Sequence, residues 1–220
     1  MNHVIDAFEL LADPDAWGGP GGFGARTLEH LWYTALALLI SAVIALPAGL
    51  VIGHTGRGRA LAVISTGMVR ALPTLGLITL AALFLGIGLT APMIAFVVLA
   101  VPSIIAGAYA GVESVNPVTV DAAKAQGMSR WQVLTRVEIP LGLPLIIGGL
   151  RNAALQVVAT ATLAAYVGAG GLGRQLFLGL RTQDYAMMLA ASIAVILLAI
   201  VLDASFEVTQ RLLRRVPGLA

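Results

Sequence analysis

Five apolar stretches, each long enough to cross a lipid bilayer as a helix, constrain this chain more than any other feature. Crossing the hydrocarbon layer takes about 20 apolar residues in α-helix. The stretches at about 31–53, 60–89, 92–109, 144–167 and 186–204 meet that need, the second with Arg70 and Pro73 inside it. None shows the period-two alternation of a membrane strand. Only 11% of the 220 residues are charged and 59% are hydrophobic, whereas a soluble domain carries about 25% charged residues. The fold class that follows is an all-α integral membrane protein with about five transmembrane helices. Thirteen Lys/Arg against eleven Asp/Glu is too balanced for a nucleic-acid binder. The absence of cysteine excludes a disulfide scaffold, a thiolate nucleophile and Cys-ligated metal.

Lysine and arginine mark the inner face of a membrane protein. With the N-terminus outside, the inner segments hold Arg57, Arg59, Lys124, Arg130, Arg136, Arg211, Arg214 and Arg215, and the outer ones only Arg26, Arg174 and Arg181. The expected topology is multi-pass in the cell membrane, N-terminus outside and C-terminus in the cytoplasm. Residues 1–27 form an external tail, 28–215 the transmembrane domain, and 216–220 a cytoplasmic tail. The tail lacks the basic start and adjoining apolar run of a cleavable signal, so the first span is expected to act as an uncleaved anchor. Val4, Ile5, Phe8 and Leu11 share a helical face, which fits either a short interfacial helix or an unstructured terminus.

Motifs that suggest chemistry fail on context. Gly19–Gly24 and Gly168–Gly173 both match G-x-G-x-x-G, but neither follows a buried strand, as dinucleotide binding requires. Lys124, the sole lysine, is flanked by Ala123 and Ala125, so no phosphate loop exists. His3, His30 and His54 show no metal-site or catalytic spacing and read as interfacial or solvated. The expectation is a chain that is not an enzyme and holds no cofactor or metal.

The polar insertion between the third and fourth spans, residues 113–142, is the most informative segment. Asn116 before Pro117 reads as an N-cap with proline in the first turn. The helix that follows should stop at Gly127, suited to a left-handed C-cap. Ser129 and Gln132 form a capping-box pair that starts a second short helix, with Trp131, Leu134 and Val137 on one face and Pro140 ending it. Ala122, Ala123 and Ala125 would let another surface approach closely, and Trp131 would give it a large apolar anchor. An ordinary loop packed on its own spans is the alternative.

The stretch Asp121-Ala122-Ala123, three residues, Gly127, nine residues, Val137-Glu138-Ile139-Pro140 resembles the coupling motif of binding-protein-dependent ABC importer permeases. That motif reads Glu-Ala-Ala, three residues, Gly, nine residues, Ile-x-Leu-Pro, so Asp121, Val137 and Ile139 are mild departures. The stretch Thr160-Ala161-Thr162-Leu163-Ala164-Ala165-Tyr166-Val167-Gly168-Ala169-Gly170-Gly171-Leu172-Gly173 is similar to the osmoprotectant branch, which takes glycine betaine, choline and carnitine. Methionine-type importers share a similar five-span layout. The resemblance extends from about Leu31 to Arg215. It implies two permease chains forming the route, identical or sister subunits, two cytosolic ATPase subunits that use the ATP, and an external solute-binding protein. A permease for methionine or another small zwitterion, and a membrane scaffold without transport, are the competing readings.

Charged and polar groups inside spans usually face the bundle interior or a water-filled cavity. Arg70 stands about ten residues into the second span. Asn152, Gln156 and Thr160 follow i, i+4 spacing and share a helix face. These four are candidate pathway residues. The alternative is hydrogen bonding that holds the bundle together or, for Arg70, an ion pair with the partner chain. Three Trp and four Tyr spread along the chain suggest no aromatic cage for a quaternary ammonium, so selectivity is expected to reside in the external binding protein.

Overall fold

Helices of very unequal length make up the described chain, residues 3–214 of the computed structural model, with side chains at 61, 63, 65, 70 and 214 outside the description. The tail expected at 216–220 lies outside the described residues. The order is α1 His3–Ala12, α2 Pro14–Trp17, α3 Phe23–Thr55, α4 Arg59–Arg70, α5 Thr74–Leu85, α6 Thr90–Glu113, α7 Pro117–Ala125, α8 Arg130–Val133, a π turn Leu134–Glu138, α9 Ile139–Ala161, a 3-10 segment Thr162–Val167, α10 Gly173–Thr182 and α11 Tyr185–Arg214. Among the described residues, four helical stretches are long and apolar enough to cross a membrane: Phe23–Thr55, Thr90–Glu113, Arg130–Val167 and Tyr185–Leu213. At 1.5 Å per residue the 33 residues of α3 extend roughly 50 Å, more than the roughly 30 Å of hydrocarbon.

The second expected span departs from a continuous helix. It divides into α4 and α5, 12 residues each and so about 18 Å each. Proline disfavours α geometry in the residue before it and lacks a donor of its own. Accordingly Ala71 and Leu72 end α4 in a turn and Pro73, with φ −69° and ψ 108°, restarts the chain as α5. Arg70 is therefore the last residue of a helix, not one inside a continuous helix.

Proline also misleads at the other end of the insertion. Pro140 does not end a short second helix, because α8, the π turn and α9 run on through it. A proline ring in a regular α-helix collides with the carbonyl four residues earlier. The wider π turn over Leu134–Glu138 lies where that collision would fall.

The chain divides into two compact units, each drawing on all four long helices. One comprises Met1–Leu38, Leu72–Val97 and Ala154–Leu202. In it α1 packs on α11 through Ala7, Leu10 and Leu11 against Ala190, Ala191 and Ala194, with Phe23 and Leu172 in the same cluster. Val4, Ile5 and Phe8 stay exposed, which leaves most of the apolar face of α1 uncovered by protein. Trp17 closes the following turn by donating Nε1–H to the Leu11 carbonyl at 2.9 Å.

The second unit comprises Leu39–Ala71, Val98–Ala153 and Asp203–Ala220. Small residues let its helices meet backbone to backbone, as in membrane bundles generally. A Cβ placed on Gly107 of α6 would lie 2.5 Å from the Cα of Gly149 in α9, and one on Gly111 would lie 2.7 Å from the Gly142 carbonyl. On α3, a Cβ at Gly49 or Gly53 would come within 2.7 Å of Ala108 or Val112.

Candidate coupling surface and intramembrane polar residues

Residues 113–142 build a short helix, a tight turn and the start of a long helix. The side chain of Asn116 accepts from the Val118 amide at 2.9 Å, and Pro117 occupies the first turn. Past Gln126, Gly127 takes φ +83°. A side chain pays a steric penalty there that glycine avoids. The Gly127 amide donates to Lys124 O and the Met128 amide to Ala123 O, closing the end of α7. Ser129 and Gln132 bond reciprocally: the Ser129 amide reaches Gln132 Oε1 at 2.8 Å, and the Gln132 amide reaches Ser129 Oγ at 3.3 Å.

This geometry sorts the motif residues. Asp121, Ala122 and Gly127 are exposed, with Asp121 accepting from Lys124 at 3.1 Å. Ala125 is exposed too, whereas Ala123 is 7% exposed and belongs to the core. Of the three alanines, then, Ala123 seats α7 on its own chain, and Ala122 and Ala125 face outward. Trp131 is 71% exposed while Val133 and Leu134 are buried. Trp131 is thus exposed, as an apolar anchor requires, and only Leu134 of the face it shares by spacing is buried. Val137, Ile139 and Pro140 are half-buried.

Two residues that spacing did not single out fix the base of this element. Glu138, inside the motif, is 6% exposed and accepts from His54 Nδ1 of α3 at 2.5 Å. His54 is thus a bonded group rather than a solvated one. A carboxylate in an apolar stretch signals a partner, and a histidine ending the first span was the available match. Beside this pair lies a cavity of about 650 Å³ lined by His54, Arg57, Lys124, Met128, Arg130 and Glu138 among others. Its rim is rich in cations. Nearby, Arg59 pairs with Glu113 at 2.9 Å and lies over the Tyr109 ring, 5.8 Å from its centroid.

The intramembrane polar residues serve unequal purposes. Asn152 is exposed and lines a groove of about 220 Å³ with Ser103, Gly107 and Gly149. Gln156 and Thr160 lie on the same helix, both half-buried, and the Thr160 hydroxyl donates to the Gln156 carbonyl at 2.8 Å. Arg70 ends α4, and its side chain lies outside the described residues. Arg151 is engaged by α11. It donates to both Asp203 oxygens, at 2.6 and 2.8 Å, and to Glu207, and Glu207 also accepts from Arg211 at 2.9 Å. Gln210 extends the cluster by donating to the Pro144 carbonyl at 2.8 Å.

The Gly168–Gly173 stretch is a turn, and its glycines answer to packing. Gly171, at φ +80°, donates its amide to Glu29 at 2.9 Å, and Glu29 also pairs with Arg26 at 2.6 Å. His30 is fully buried beneath this turn and donates Nε2–H to the Val158 carbonyl at 2.9 Å. The expectation of a solvated His30 is corrected by the space that Gly171 leaves above the ring.

Long apolar helices, a broken second span and an exposed helix–turn element define a polytopic membrane protein. The chain belongs to the family described as binding-protein-dependent transport system inner membrane component, which matches residues 45–215. Among curated relatives, the glycine betaine/carnitine/choline transport system permease protein OpuCB of Bacillus subtilis (strain 168) is 30% identical over 186 residues, 84% of this chain and 86% of that protein. The osmoprotectant import permease protein OsmW of Salmonella typhimurium is 34% identical over 191 residues, 83% and 87% of the two chains. The inward-facing MetNI methionine ABC transporter shares the fold, with a TM-score of 0.75 at 22% identity over 88% of this chain and 96% of that one. The chain is accordingly a multi-pass permease subunit of an ABC importer in the plasma membrane, and the family implies an ATPase and a binding protein as its partners.

Proposed function

We propose that the chain carries a compatible solute, such as glycine betaine, carnitine or choline, across the membrane as the permease of an osmoprotectant importer. Its substrate class follows that named for the relatives it resembles over four-fifths of its length. The observation that carries the coupling role is α7 with its Gly127 turn: Ala122, Ala125 and Trp131 face outward from an element whose base is fixed by Glu138. These residues offer a close-approach surface and an apolar anchor to a cytosolic ATPase. The cation-lined cavity beside them suits acidic side chains of that partner. A second permease chain, identical or a sister, completes the route, and Arg70, Asn152, Gln156 and Thr160 are its candidate lining. ATP is consumed by the partner and no cofactor is held here. The proposed topology keeps the N-terminus and residues 1–27 outside and the C-terminus in the cytoplasm.

The test is reconstitution into liposomes with the cognate ATPase and binding protein. ATP-dependent uptake of labelled glycine betaine, carnitine or choline is the expected result. Methionine uptake instead would move the chain to the other branch, and no uptake of any solute would favour a scaffold. Gly127→Val costs about 1–2 kcal/mol in the left-handed region. Together with Ala122→Glu, which places an acid on the exposed face, it should leave insertion intact and abolish stimulated ATP hydrolysis. Ala123→Glu is the weaker probe, because a buried acid would also unseat α7.

Reporter fusions check the topology independently. Those after Arg59 and Gln132 should report the cytoplasm, and one after Leu178 the outside. An external signal at Gln132 would sink both the topology and the coupling role.

A further inference from the structure

A cavity of about 550 Å³ opens between the end of α5, the 3-10 segment and α10, with Ile87, Tyr166, Phe177, Arg174 and Arg181 in its lining. Its volume falls within the roughly 300–1,000 Å³ of small-ligand sites. The rings of Tyr166 and Phe177 stand 5.8 Å apart, tilted by 55°, and Tyr166 is 52% exposed. Arg174 and Arg181 lie about two turns apart on α10, so both project from one side of it. Arg174 lies within electrostatic reach of Glu29, whose carboxylate is bonded to Arg26 and the Gly171 amide, and neither Arg174 nor Arg181 forms an ion pair of 4 Å or less among the described residues. Gly168 keeps the cavity open, because a Cβ there would run into the Ile87 side chain, and its φ of +85° disfavours a side chain on its own account.

Aromatic faces attract a cation, most of all a quaternary ammonium that no hydrogen bond can hold. Guanidinium groups attract carboxylates in forked geometry. A cation without a carboxylate would meet the arginines as repulsion, and a plain anion would gain nothing from the rings. A small zwitterion with a quaternary ammonium at one end and a carboxylate at the other satisfies both. We infer that this cavity is a transit site for such a zwitterion within the permease itself, with Tyr166 and Phe177 holding the ammonium and Arg174 and Arg181 the carboxylate. The inference rests on the compatible-solute reading above and adds a selectivity element that the scattered aromatics of the sequence did not reveal. Tyr166 and Phe177, eleven positions apart, meet only because the chain turns back at Gly168–Gly171.

The experiment measures binding of labelled glycine betaine and choline to the permease–ATPase complex in nanodiscs, without the binding protein. Basal ATP hydrolysis and co-purification confirm assembly of each variant. The double variant Arg174→Gln, Arg181→Gln should weaken glycine betaine binding about tenfold while leaving choline binding unchanged or stronger. Tyr166→Leu with Phe177→Leu should weaken both solutes about tenfold. Equal loss of both solutes in the arginine variant, unaltered binding in either variant, or no binding of glycine betaine to the wild-type complex would each overturn the site. Failure of the compatible-solute reading shows separately, as absence of wild-type uptake in the reconstituted system.

Discussion

Gly149→Ala is expected to unseat α9 from α6, although alanine is the better helix former. The added methyl would lie 2.8 Å from the Cα of Gly107 and 3.0 Å from the Ser103 carbonyl oxygen. Both are backbone atoms, so the strain is relieved only by separating the helices. Overpacking of this kind costs about 1–3 kcal/mol, and a backbone contact with no rotamer to yield belongs at the upper end. A loss of about 3 kcal/mol would lower the thermal midpoint by roughly 6–12 °C in a chain of this size. Gly148 supplies the internal control. A methyl there meets only the Gln210 side-chain amide at 3.3 Å, and alanine gains roughly 1 kcal/mol of helix propensity over glycine. Gly148→Ala should therefore be neutral or stabilising. Thermal unfolding of the detergent-solubilised chain, followed by size-exclusion profile, reads both variants. Similar midpoints for the two would refute the packing argument.

Arg151→Met should be the second large loss. It leaves Asp203 and Glu207 facing each other without their shared cation, among helices that cross the membrane. Breaking a fully buried pair costs about 3–5 kcal/mol. Each carboxylate keeps 37% side-chain exposure and Arg211 still holds Glu207, so solvent screens part of the loss and it falls below that of a fully buried pair. Adding Asp203→Asn and Glu207→Gln to the Arg151→Met chain removes the uncompensated charge and should restore most of the midpoint. Persistence of the loss in the triple variant would show that Arg151 acts through packing of its stem rather than its charge.

Much of the architecture was legible because hydrophobic length and capping are local properties. The apolar runs located the helices of the membrane domain, and Asn116, Gly127 and the Ser129–Gln132 pair are caps that neighbouring residues suffice to define. What escaped depends on partners distant in the chain. Arg151 meets its acids more than fifty positions away, and His54 meets Glu138 across 84. No spacing rule links such pairs. The prolines failed for a different reason: the same residue breaks the helix at Pro73 and passes within it at Pro140, where a π turn absorbs the ring. Ala123 could not be told from Ala122 and Ala125 by residue type, since only the packing of α7 on the rest of the chain decides which methyl is covered. At the candidate site the motif residues were readable, but the histidine that anchors them was not.

The His54–Glu138 link has a mechanical consequence. A protruding element held only by its two chain ends would yield under a push, and the work done on it would be dissipated as bending. Here the foot of the element is bolted to α3 through a 2.5 Å contact and is continuous with α9 through the π turn. A displacement imposed at Trp131 would therefore load two membrane helices at once. In the proposed coupling role, force from a docked partner would enter this permease as torque on a pair of helices, with little slack to take up first.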